Sequence, residues 1–343
     1  MTVNAIESGV GDVWQVKQAA LGTIEPANST NTKHLRKVGE DALKPAKTYG
    51  SEEWLDGKAW GSPGMYVQSI GGEIGDLPFQ AQIETTGFAF AQIIGVDTVT
   101  GTDPDYTHTI ASGTANGPYQ TIRQKVGVNV GPWRNSFFDA KVNKLTLNVG
   151  QDQRIMRITE NLWALKAASW YIADPTATDS GTDPFEWSEA EGAHSIDGTV
   201  FPEIDGETLE LDRKLEVHQG DSPKPVCFIP GKGLMTSTMS ALVTDGTIPV
   251  IQKALYGTTV MTEGLEVNAD VNTVALESTY TRTAARSLKI TRPKVAVDPS
   301  DFAVGARAEG GKLPVAFGGR CLDSGATPML TVVAKTGDSA AYV

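Results

Sequence analysis

The stretch that decides the fold is Lys141-Val-Asn-Lys-Leu-Thr-Leu-Asn-Val-Gly150, followed after two residues by Gln153-Arg-Ile-Met-Arg-Ile-Thr-Glu-Asn-Leu-Trp163. In the first run Leu145, Leu147 and Val149 alternate with Lys144, Thr146 and Asn148; in the second Met156, Ile158 and Leu162 alternate with Arg157, Thr159 and Asn161. This period of two predicts two long strands with a tight connection through residues 150–152. The hairpin has one apolar face, which must pack against another layer, and one polar face.

The composition is that of a globular protein with much β structure. The chain has 343 residues, of which 40% are hydrophobic and 20% charged, so it has room for one large domain or two ordinary ones. It contains 36 glycines and 18 prolines, together with many threonines, valines and serines. This mixture favours strands joined by many turns, and the predicted fold class is mainly β.

The net charge of -12 bears on possible partners. An acidic chain lacks the basic surface of a protein that grips nucleic acid, although DNA would slide past a like-charged surface without sticking. The first residues show no signal-peptide pattern, and no apolar run reaches the length of a membrane span. We therefore expect synthesis and assembly in a cytoplasm and no membrane partner.

The order of elements divides the chain into five parts. Residues 1–11 are predicted to be an N-terminal arm, 172–183 a polar linker, and 336–343 a small polar C-terminal tail. Between them lie two β-rich domains, 12–171 and 184–335, each with one short helix, at 84–95 and 248–257. Residues 50–64, which contain Trp54 and Trp60, have no clear period and are predicted to be a long loop.

The two predicted domains resemble each other in order and in detail. Each has strands, one short helix ending in glycine, and further strands. Ala91-Gln-Ile-Ile-Gly95 corresponds to Lys253-Ala-Leu-Tyr-Gly257, and Arg123-Gln-Lys-Val-Gly-Val128 corresponds to Arg292-Pro-Lys-Val-Ala-Val297. We interpret this as a duplication, the alternative being a coincidence between two β-rich halves.

The residue types that carry chemistry predict no catalytic, cofactor or metal site. The four histidines (His34, His108, His194 and His218) and the two cysteines (Cys227 and Cys321) are not spaced as metal ligands. Pro230-Gly-Lys-Gly233 lacks the upstream glycine and the following Ser or Thr of a phosphate loop, so we interpret it as a turn.

Acidic residues cluster at 186–191 and 207–216. Glu210, Asp212 and Glu216 are predicted to share the polar face of one strand, because Leu209, Leu211, Leu215 and Val217 occupy its other face. A solvated sheet face is the usual cause of such a cluster. The sequence does not exclude the two opposed carboxylates of a β-rich glycosidase, which stays an alternative.

Several motifs, taken in order, resemble the major tail tube proteins of long-tailed bacteriophages. They are Leu35-Arg-Lys-Val-Gly-Glu-Asp-Ala-Leu-Lys-Pro-Ala-Lys-Thr-Tyr49 with Ser51-Glu-Glu, Gly71-Gly-Glu-Ile before Gly87-Phe-Ala-Phe-Ala-Gln-Ile-Ile-Gly95, Tyr106-Thr-His-Thr-Ile110, Phe138-Asp-Ala-Lys-Val-Asn-Lys-Leu-Thr-Leu147 and Ser287-Leu-Lys-Ile-Thr-Arg-Pro-Lys-Val295. The likeness covers nearly the whole chain.

The resemblance implies a structural virion protein and no enzyme. Each tube domain would be a β-sandwich with a flanking helix, and the sheets of neighbouring subunits would join edge to edge into one barrel. Rings would stack through a long loop and a terminal arm into the tail tube, through which the genome passes into the host. The expected protein partners are further copies, the tape measure protein, and the tail tip and terminator proteins.

The resemblance also suggests roles for single residues. The candidates for the lumen are Lys144, Thr146, Asn148, Glu210, Asp212 and Glu216, where DNA would pass without specific binding. Trp54 and Trp60 are the candidates for the contact between rings. With two tube domains per chain, a ring would be a trimer with pseudo-sixfold symmetry; without a duplication it would be a hexamer. A carbohydrate-binding or adhesive β-sandwich of a virion stays the other alternative.

Overall fold

The computed structural model describes residues 11–26, 32–39, 42–54, 62–113, 116–126, 133–169, 174, 175, 177, 183–190, 193–201, 203–260, 262, 263, 265, 266, 271–297, 314–323 and 325–343. The strands are β1 (Gly11–Lys17), β2 (Lys33–Leu35), β3 (Lys47–Trp54), β4 (Ser62–Ile70), β5 (Gly72–Gln80), β6 (Thr98–Thr102), β7 (Asp105–Ala111), β8 (Gln120–Val126), β9 (Trp133–Gly150), β10 (Arg157–Ser169), β11 (His194–Ile196), β12 (Thr199–Val200), β13 (Ile204–Asp212), β14 (Leu215–Gln219), β15 (Pro225–Pro230), β16 (Leu234–Leu242), β17 (Thr273–Thr283), β18 (Arg286–Ala296), β19 (Pro314–Arg320) and β20 (Thr331–Thr336). The helices are α1 (Ile83–Ile94) and α2 (Ile248–Tyr256). The predicted fold class, mainly β, is confirmed.

Two antiparallel sheets face each other across the main hydrophobic core. The large sheet contains β5, β10, β9, β13, β16 and β19 in that order, with β8, β1 and β2 branching from β9. The small sheet has the order β12-β11-β17-β18-β20-β7-β6. Two further hairpins, β3–β4 and β14–β15, form sheets of their own.

The predicted hairpin is the centre of the large sheet. β9 pairs with β10 along nearly its whole length, while its other edge is shared, first by β8 and then by β13. The change of partner occurs near Asp139, whose φ of 53° is unusual for a residue with a side chain. The connection to β10 spans residues 151–156 and is longer than the tight turn that the sequence predicts.

Six strands of the large sheet close into a small barrel. β8, β1 and β2 lie on one side of β9, and β10 and β5 lie on the other. The residues after β2 complete the circle, because the backbone N–H of Val38 donates to the carbonyl of Pro78 (2.8 Å) and that of Gln80 to the carbonyl of Arg36 (3.0 Å). Closure leaves few bare strand edges in this part of the molecule.

The two halves of the chain share both sheets. β13, β16 and β19, from the second half, extend the large sheet beyond β9, while β6 and β7, from the first half, extend the small sheet beyond β20. The proposed units 12–171 and 184–335 are therefore joined by strand pairing rather than by a linker alone. Most of residues 1–11 and 172–183 lie outside the described residues.

Both predicted helices are present and both end at a glycine. Gly95 (φ 84°) and Gly257 (φ 73°) adopt the left-handed conformation, and each backbone N–H bonds to the carbonyl four residues earlier. Helix α1 begins at Ile83, and the Thr86 hydroxyl in its first turn donates to the carbonyl of Gln82 (2.6 Å). Helix α1 is almost entirely buried between the sheets, whereas α2 lies at the surface.

The prediction of a loop over residues 50–64 is wrong at both of its ends. Residues 50–54 belong to β3 and residues 62–64 to β4, and the two strands pair from Lys47 opposite Ile70 to Trp54 opposite Ser62. Residues 55–61 lie outside the described residues. Gly71, with a φ of 107°, separates β4 from β5, and Trp187–Ala190 form a short 3-10 helix.

The C-terminal tail belongs to the fold. The Tyr342 ring is 3% exposed and stacks on His108 with 4.0 Å between ring centroids. His108 itself contacts a carboxylate oxygen of Asp97 (2.9 Å) and the carbonyl of Asp338 (2.8 Å). These carboxyl and carbonyl groups raise the pKa of His108 although its burial lowers it. The tail thus joins α1 to β7 of the small sheet, since the Gln92 amide on α1 donates to the carbonyl of Tyr342 (3.0 Å).

Candidate functional site: the polar face of the large sheet

A continuous polar face covers the outer side of the large sheet. Its side chains lie in rows that run across the strands. The rows are Gln80, Arg157, Asn148, Thr208 and Thr238; Pro78, Thr159, Thr146, Glu210, Thr236 and Arg320; and Asp76, Asn161, Lys144 and Asp212. Alternate residues of the same strands, such as Leu145, Leu147, Leu209 and Leu211, are buried in the core.

Hydrogen bonds and an ion pair link neighbouring strands across this face. Lys144 Nζ lies 2.9 Å from a carboxylate oxygen of Glu210. The Thr208 hydroxyl donates to the side-chain oxygen of Asn148 (3.0 Å), and the Asn161 amide donates to Asp76 (2.8 Å). Three carboxylates and three cations occupy the rows, so this face is charge-balanced although the chain as a whole has a net charge of -12.

Five of the six predicted lumen residues lie together on this face. Thr146 is directly opposite Glu210, Lys144 is opposite Asp212, and Asn148 is in the next row. Glu216 is not among them. The predicted strand over 208–217 ends at Asp212, Lys214 takes a φ of 48°, and Glu216 lies on the separate β14–β15 hairpin. The alternation of leucines continued through this break, which is why the sequence did not reveal it.

Comparison with known proteins identifies the family. A family model described as phage tail tube protein matches residues 13–328, nearly the whole chain. The chain belongs to this family. No curated protein matches it. The tail tube family makes the chain a structural component of the phage virion tail, which assembles with other copies into a tube. This confirms the resemblance on which the sequence prediction rested.

One of the two predicted contact residues of this tail tube protein lies on the β3–β4 hairpin. Trp54 is the last residue of β3, and Trp60 lies outside the described residues. The hairpin forms its own two-stranded sheet, and two of its aromatic residues, Tyr49 and Tyr66, are 55% and 51% exposed. It therefore offers exposed aromatic surface close to the large sheet.

Behind the polar face, a buried ion cluster joins the two sheets of the tail tube protein. Glu207 on β13 accepts hydrogen bonds from Tyr280 (2.6 Å), Ser278 (2.7 Å) and Arg292, which lie on β17 and β18. Glu207 and Arg292 have fully buried side chains. Burial raises the pKa of Glu207, but the Arg292 charge and the hydrogen bonds outweigh it and hold the pKa well below its usual range.

A second buried glutamate lies inside the barrel and forms no ion pair with any described residue. Glu160 on β10 is fully buried, and its bonded partner in the described structure is Gln15, whose amide donates to it (2.7 Å). Burial raises the pKa of Glu160 to about 7, a shift that the bond from Gln15 only partly offsets. Glu160 therefore carries a proton over much of the acidic range.

The sequence prediction missed both buried glutamates, although it contained the signal. Glu160 lies between Ile158 and Leu162 at the apolar positions of β10, and Glu207 precedes Leu209 and Leu211 at those of β13. An acidic residue at a position of a strand that faces the core is buried as long as the alternation of the strand is not interrupted. Arg292 follows Leu288 and Ile290 in the same way.

Within the described ranges, nothing indicates a metal site or a membrane span. No group of three or more His, Cys, Asp or Glu side chains there is arranged to bind a metal ion. Both helices of that part of the chain are too short to cross a bilayer. Cys321 is buried, which raises the pKa of its thiol to about 11.

Proposed function

We propose that this chain forms rings in which the polar face lines the lumen, and that the rings stack into the tube that carries the phage genome into the host. The observation that carries the proposal is the polar face itself. It extends without interruption over six strands, and it draws strands equally from both halves of the chain. A single polar face over so wide a sheet suits the solvated inner wall of a barrel.

One edge of the large sheet supports closure of a ring. β19 is the outermost strand on that side, whereas the far edge of β5 is already bonded to residues 36, 38 and 44 of the same chain. An uncovered strand edge is a template for pairing with another chain, and a closed ring of chains removes it. We propose that β19 pairs with the sheet of the next copy, so that the large sheets join into one barrel.

The number of strands favours three chains in a ring. β5, β10 and β9 come from the first half, and β13, β16 and β19 from the second, so each chain contributes two units of three strands. With about 4.8 Å between strands and a tilt of about 40°, three chains give a barrel about 36 Å across between backbones, and six chains about 70 Å. A trimer with pseudo-sixfold symmetry matches the proposed duplication.

The chemistry of the polar face suits passage of DNA. Threonine and asparagine dominate its rows, and its charges occur as both signs side by side. A protein that holds DNA uses an excess of positive charge to replace the counterions of the phosphates. Without that excess the face gives no sequence-independent grip, so DNA moves along the lumen without specific binding.

We assign the contact between rings to the β3–β4 hairpin, with Trp54 and Trp60. Replacing both tryptophans with serine should leave folded rings that no longer stack. A control variant replaces Leu21, which is 51% exposed and not part of the hairpin, with serine and should still form tubes. Unfolded protein after the double replacement would instead mean that the tryptophans belong to the core. The tape measure, tail tip and terminator proteins are the further partners of a tube assembled in the host cytoplasm.

Electron microscopy of the purified protein, with rotational averaging of end views, tests the proposed function. We expect stacked rings of three chains with six similar lobes. Rings of six chains would contradict the proposed duplication. Dispersed monomers at high concentration, even with a nucleating tail tip present, would contradict the tube itself.

A further inference from the structure

Residues 337–343, which follow β20, form a strap that lies against β7 and α1 without being a strand of either sheet. We name these residues the strap. Its Tyr342 ring stacks on His108 of β7, with 4.0 Å between ring centroids, and meets Phe88 of α1 edge-on, with 5.8 Å between centroids. The Gln92 amide of α1 donates to the Tyr342 carbonyl (3.0 Å). The strap therefore holds the buried helix against the small sheet.

The Tyr342 ring occupies a space that a glycine keeps open. Gly87 of α1 lies beneath the ring, and a Cβ atom at this position would lie 3.1 Å from Cε2 of Tyr342 and 3.0 Å from the Cβ of Ala334. Contacts of this length are tighter than nearly all real contacts of a Cβ atom, so a side chain here would push the ring away. The strap thus fits into a shaped site on the helix.

Both ring nitrogens of His108 face oxygen atoms that accept hydrogen bonds. Nδ1 lies 2.9 Å from a carboxylate oxygen of Asp97, and Nε2 lies 2.8 Å from the backbone carbonyl oxygen of Asp338 in the strap. The same oxygen of Asp97 accepts the backbone N–H of Tyr342 (2.9 Å), as a carboxylate does. A neutral imidazole has one N–H and one lone pair, so it can donate to only one of the two oxygens. An imidazolium, with a proton on each nitrogen, donates to both.

Docking of the strap is therefore linked to the protonation of His108. Burial lowers the pKa of His108, but the hydrogen bonds to Asp97 and to the carbonyl of Asp338 outweigh it and raise the pKa above its ordinary value of 6.5. Without the strap, His108 loses one of these acceptors and gains contact with water. The docked state then binds the proton more tightly, so docking is strongest below pH 6.5 and weakens as the pH rises through the pKa of the docked state.

Other ionisable side chains also lie against His108 or the strap. Among the described residues they are Asp97, Asp338, Tyr342, Lys33 of β2, Glu84 of α1 and Arg286 of β18. The residues that pair with His108 across the sheet, Val99 and Ala334, carry no charge. Histidine is the side chain of this set whose ordinary pKa lies between 5 and 8. The proton that matters near neutral pH is therefore that of His108.

We propose that the strap docks while both ring nitrogens of His108 carry a proton, and that it leaves α1 when one of these protons is lost. The strap then closes this end of the sandwich at acidic and neutral pH, and its release at alkaline pH uncovers the surface of α1 around Gly87 and Phe88. The proposal concerns a single chain, so it does not depend on whether the chains form rings.

NMR of the wild-type protein labelled with ¹⁵N-histidine tests the protonation state. The imidazole of His108 is assigned by its contact with the Tyr342 ring. We expect two ring N–H signals from His108 at pH 6, and the loss of one of them as the strap is released at higher pH. A single ring N–H at pH 6 would overturn the proposal. This measurement needs no substitution, so it decides even where a variant does not fold.

Amide hydrogen exchange tests the release. Exchange at Ala340 and Tyr342, corrected for the intrinsic rate at each pH, measures how often the strap opens. We expect protection to fall about tenfold per pH unit above pH 6.5 until it levels off, because one proton is lost on release. In His108→Gln, and in Asp97→Asn, whose neutral amide can bond to a neutral imidazole, the corrected protection should not change with pH.

A matched control uses a second histidine that contacts a carboxylate. His34 lies 3.1 Å from Asp12 on the other side of β2 from the strap contact, and His34→Gln should keep the tenfold fall in protection. Protection of the wild-type strap that is constant from pH 6 to pH 9, or an unchanged fall in His108→Gln, would contradict the proposal. An equal loss of the fall in His34→Gln would also contradict it, since the effect would then not be specific to His108.

Discussion

Two glutamates on the apolar side of the large sheet are equally buried, yet their pKa values are shifted in opposite directions. Glu207 on β13 has Arg292, Tyr280 and Ser278 around its carboxylate. Glu160 on β10 has the amide of Gln15. Burial acts alike on both, since it raises the pKa of any carboxyl group. The difference comes from the partners, which lower the pKa of Glu207 far and that of Glu160 only slightly.

The comparison shows how the two regions are built. Arg292 and its neighbours belong to the small sheet, so the ionised Glu207 joins two layers and sets their relative position. Glu160 lies inside the barrel, where it forms no ion pair with a described residue and its carboxylate accepts a hydrogen bond from the Gln15 amide. A buried charge without a partner is costly, and the barrel therefore keeps Glu160 as a neutral acid at low pH.

The largest effect on stability is expected when Glu207 loses the positive charge of Arg292. We expect Arg292→Met to lower the free energy of unfolding by about 3–5 kcal/mol, because it leaves a buried carboxylate unpaired. Urea unfolding measures the change. The control is Glu207→Leu/Arg292→Met, which removes both charges and should be much less destabilising. Equal losses in the two variants would show that packing, not charge, is what Arg292 supplies.

The second prediction has the opposite sign. Glu160→Gln should raise the free energy of unfolding at pH 8 by about 3 kcal/mol, since the native carboxyl group has a pKa of about 7 against an ordinary value of 4.5. The raised pKa means that the folded state holds a proton that the unfolded state releases, so stability falls as pH rises from about 4.5 to 7 and is level above.

The pH dependence provides the control for this prediction. At pH 4 the side chain at position 160 is neutral in the folded protein whether it is glutamic acid or glutamine. The replacement of Glu160 should therefore have little effect on the free energy of unfolding at this pH. Thermal unfolding from pH 4 to pH 8 should show a smaller decline for the variant than for the wild type. A constant difference between the two proteins at all pH values would contradict a titrating Glu160.

The smallest effect on the free energy of unfolding is expected for Glu210, which lies on the polar face of the same sheet. Glu210 pairs with Lys144, and both side chains are more than a third exposed. Glu210→Gln should change the free energy of unfolding by less than about 1 kcal/mol, because solvent screens an exposed pair. A double-mutant cycle with Lys144→Met measures the coupling. A coupling as large as that of Glu207 and Arg292 would mean that this face is not solvated.

Local patterns predicted the individual elements well. The alternation around Leu145 and Leu147 predicted the central hairpin and its two faces, and the glycines at 95 and 257 predicted where both helices end. Predictions failed where tertiary contacts override a local pattern. The leucines at 209, 211 and 215 keep their alternation, but the backbone turns at Lys214 and places Glu216 on another hairpin. Likewise Trp54 lies in a strand only because Ser62 pairs with it.

The sequence by itself determined the β class, the central hairpin, the helix ends and the family, because these depend on neighbouring residues or on motifs in order. Only the tertiary structure decided that the two halves share both sheets, that the tail packs on His108, and that Glu160 and Glu207 differ. Each of these depends on pairing between residues far apart in the chain, such as Glu207 with Arg292. The period of a strand shows which side of the sheet a residue faces. It does not show which side chain will lie opposite.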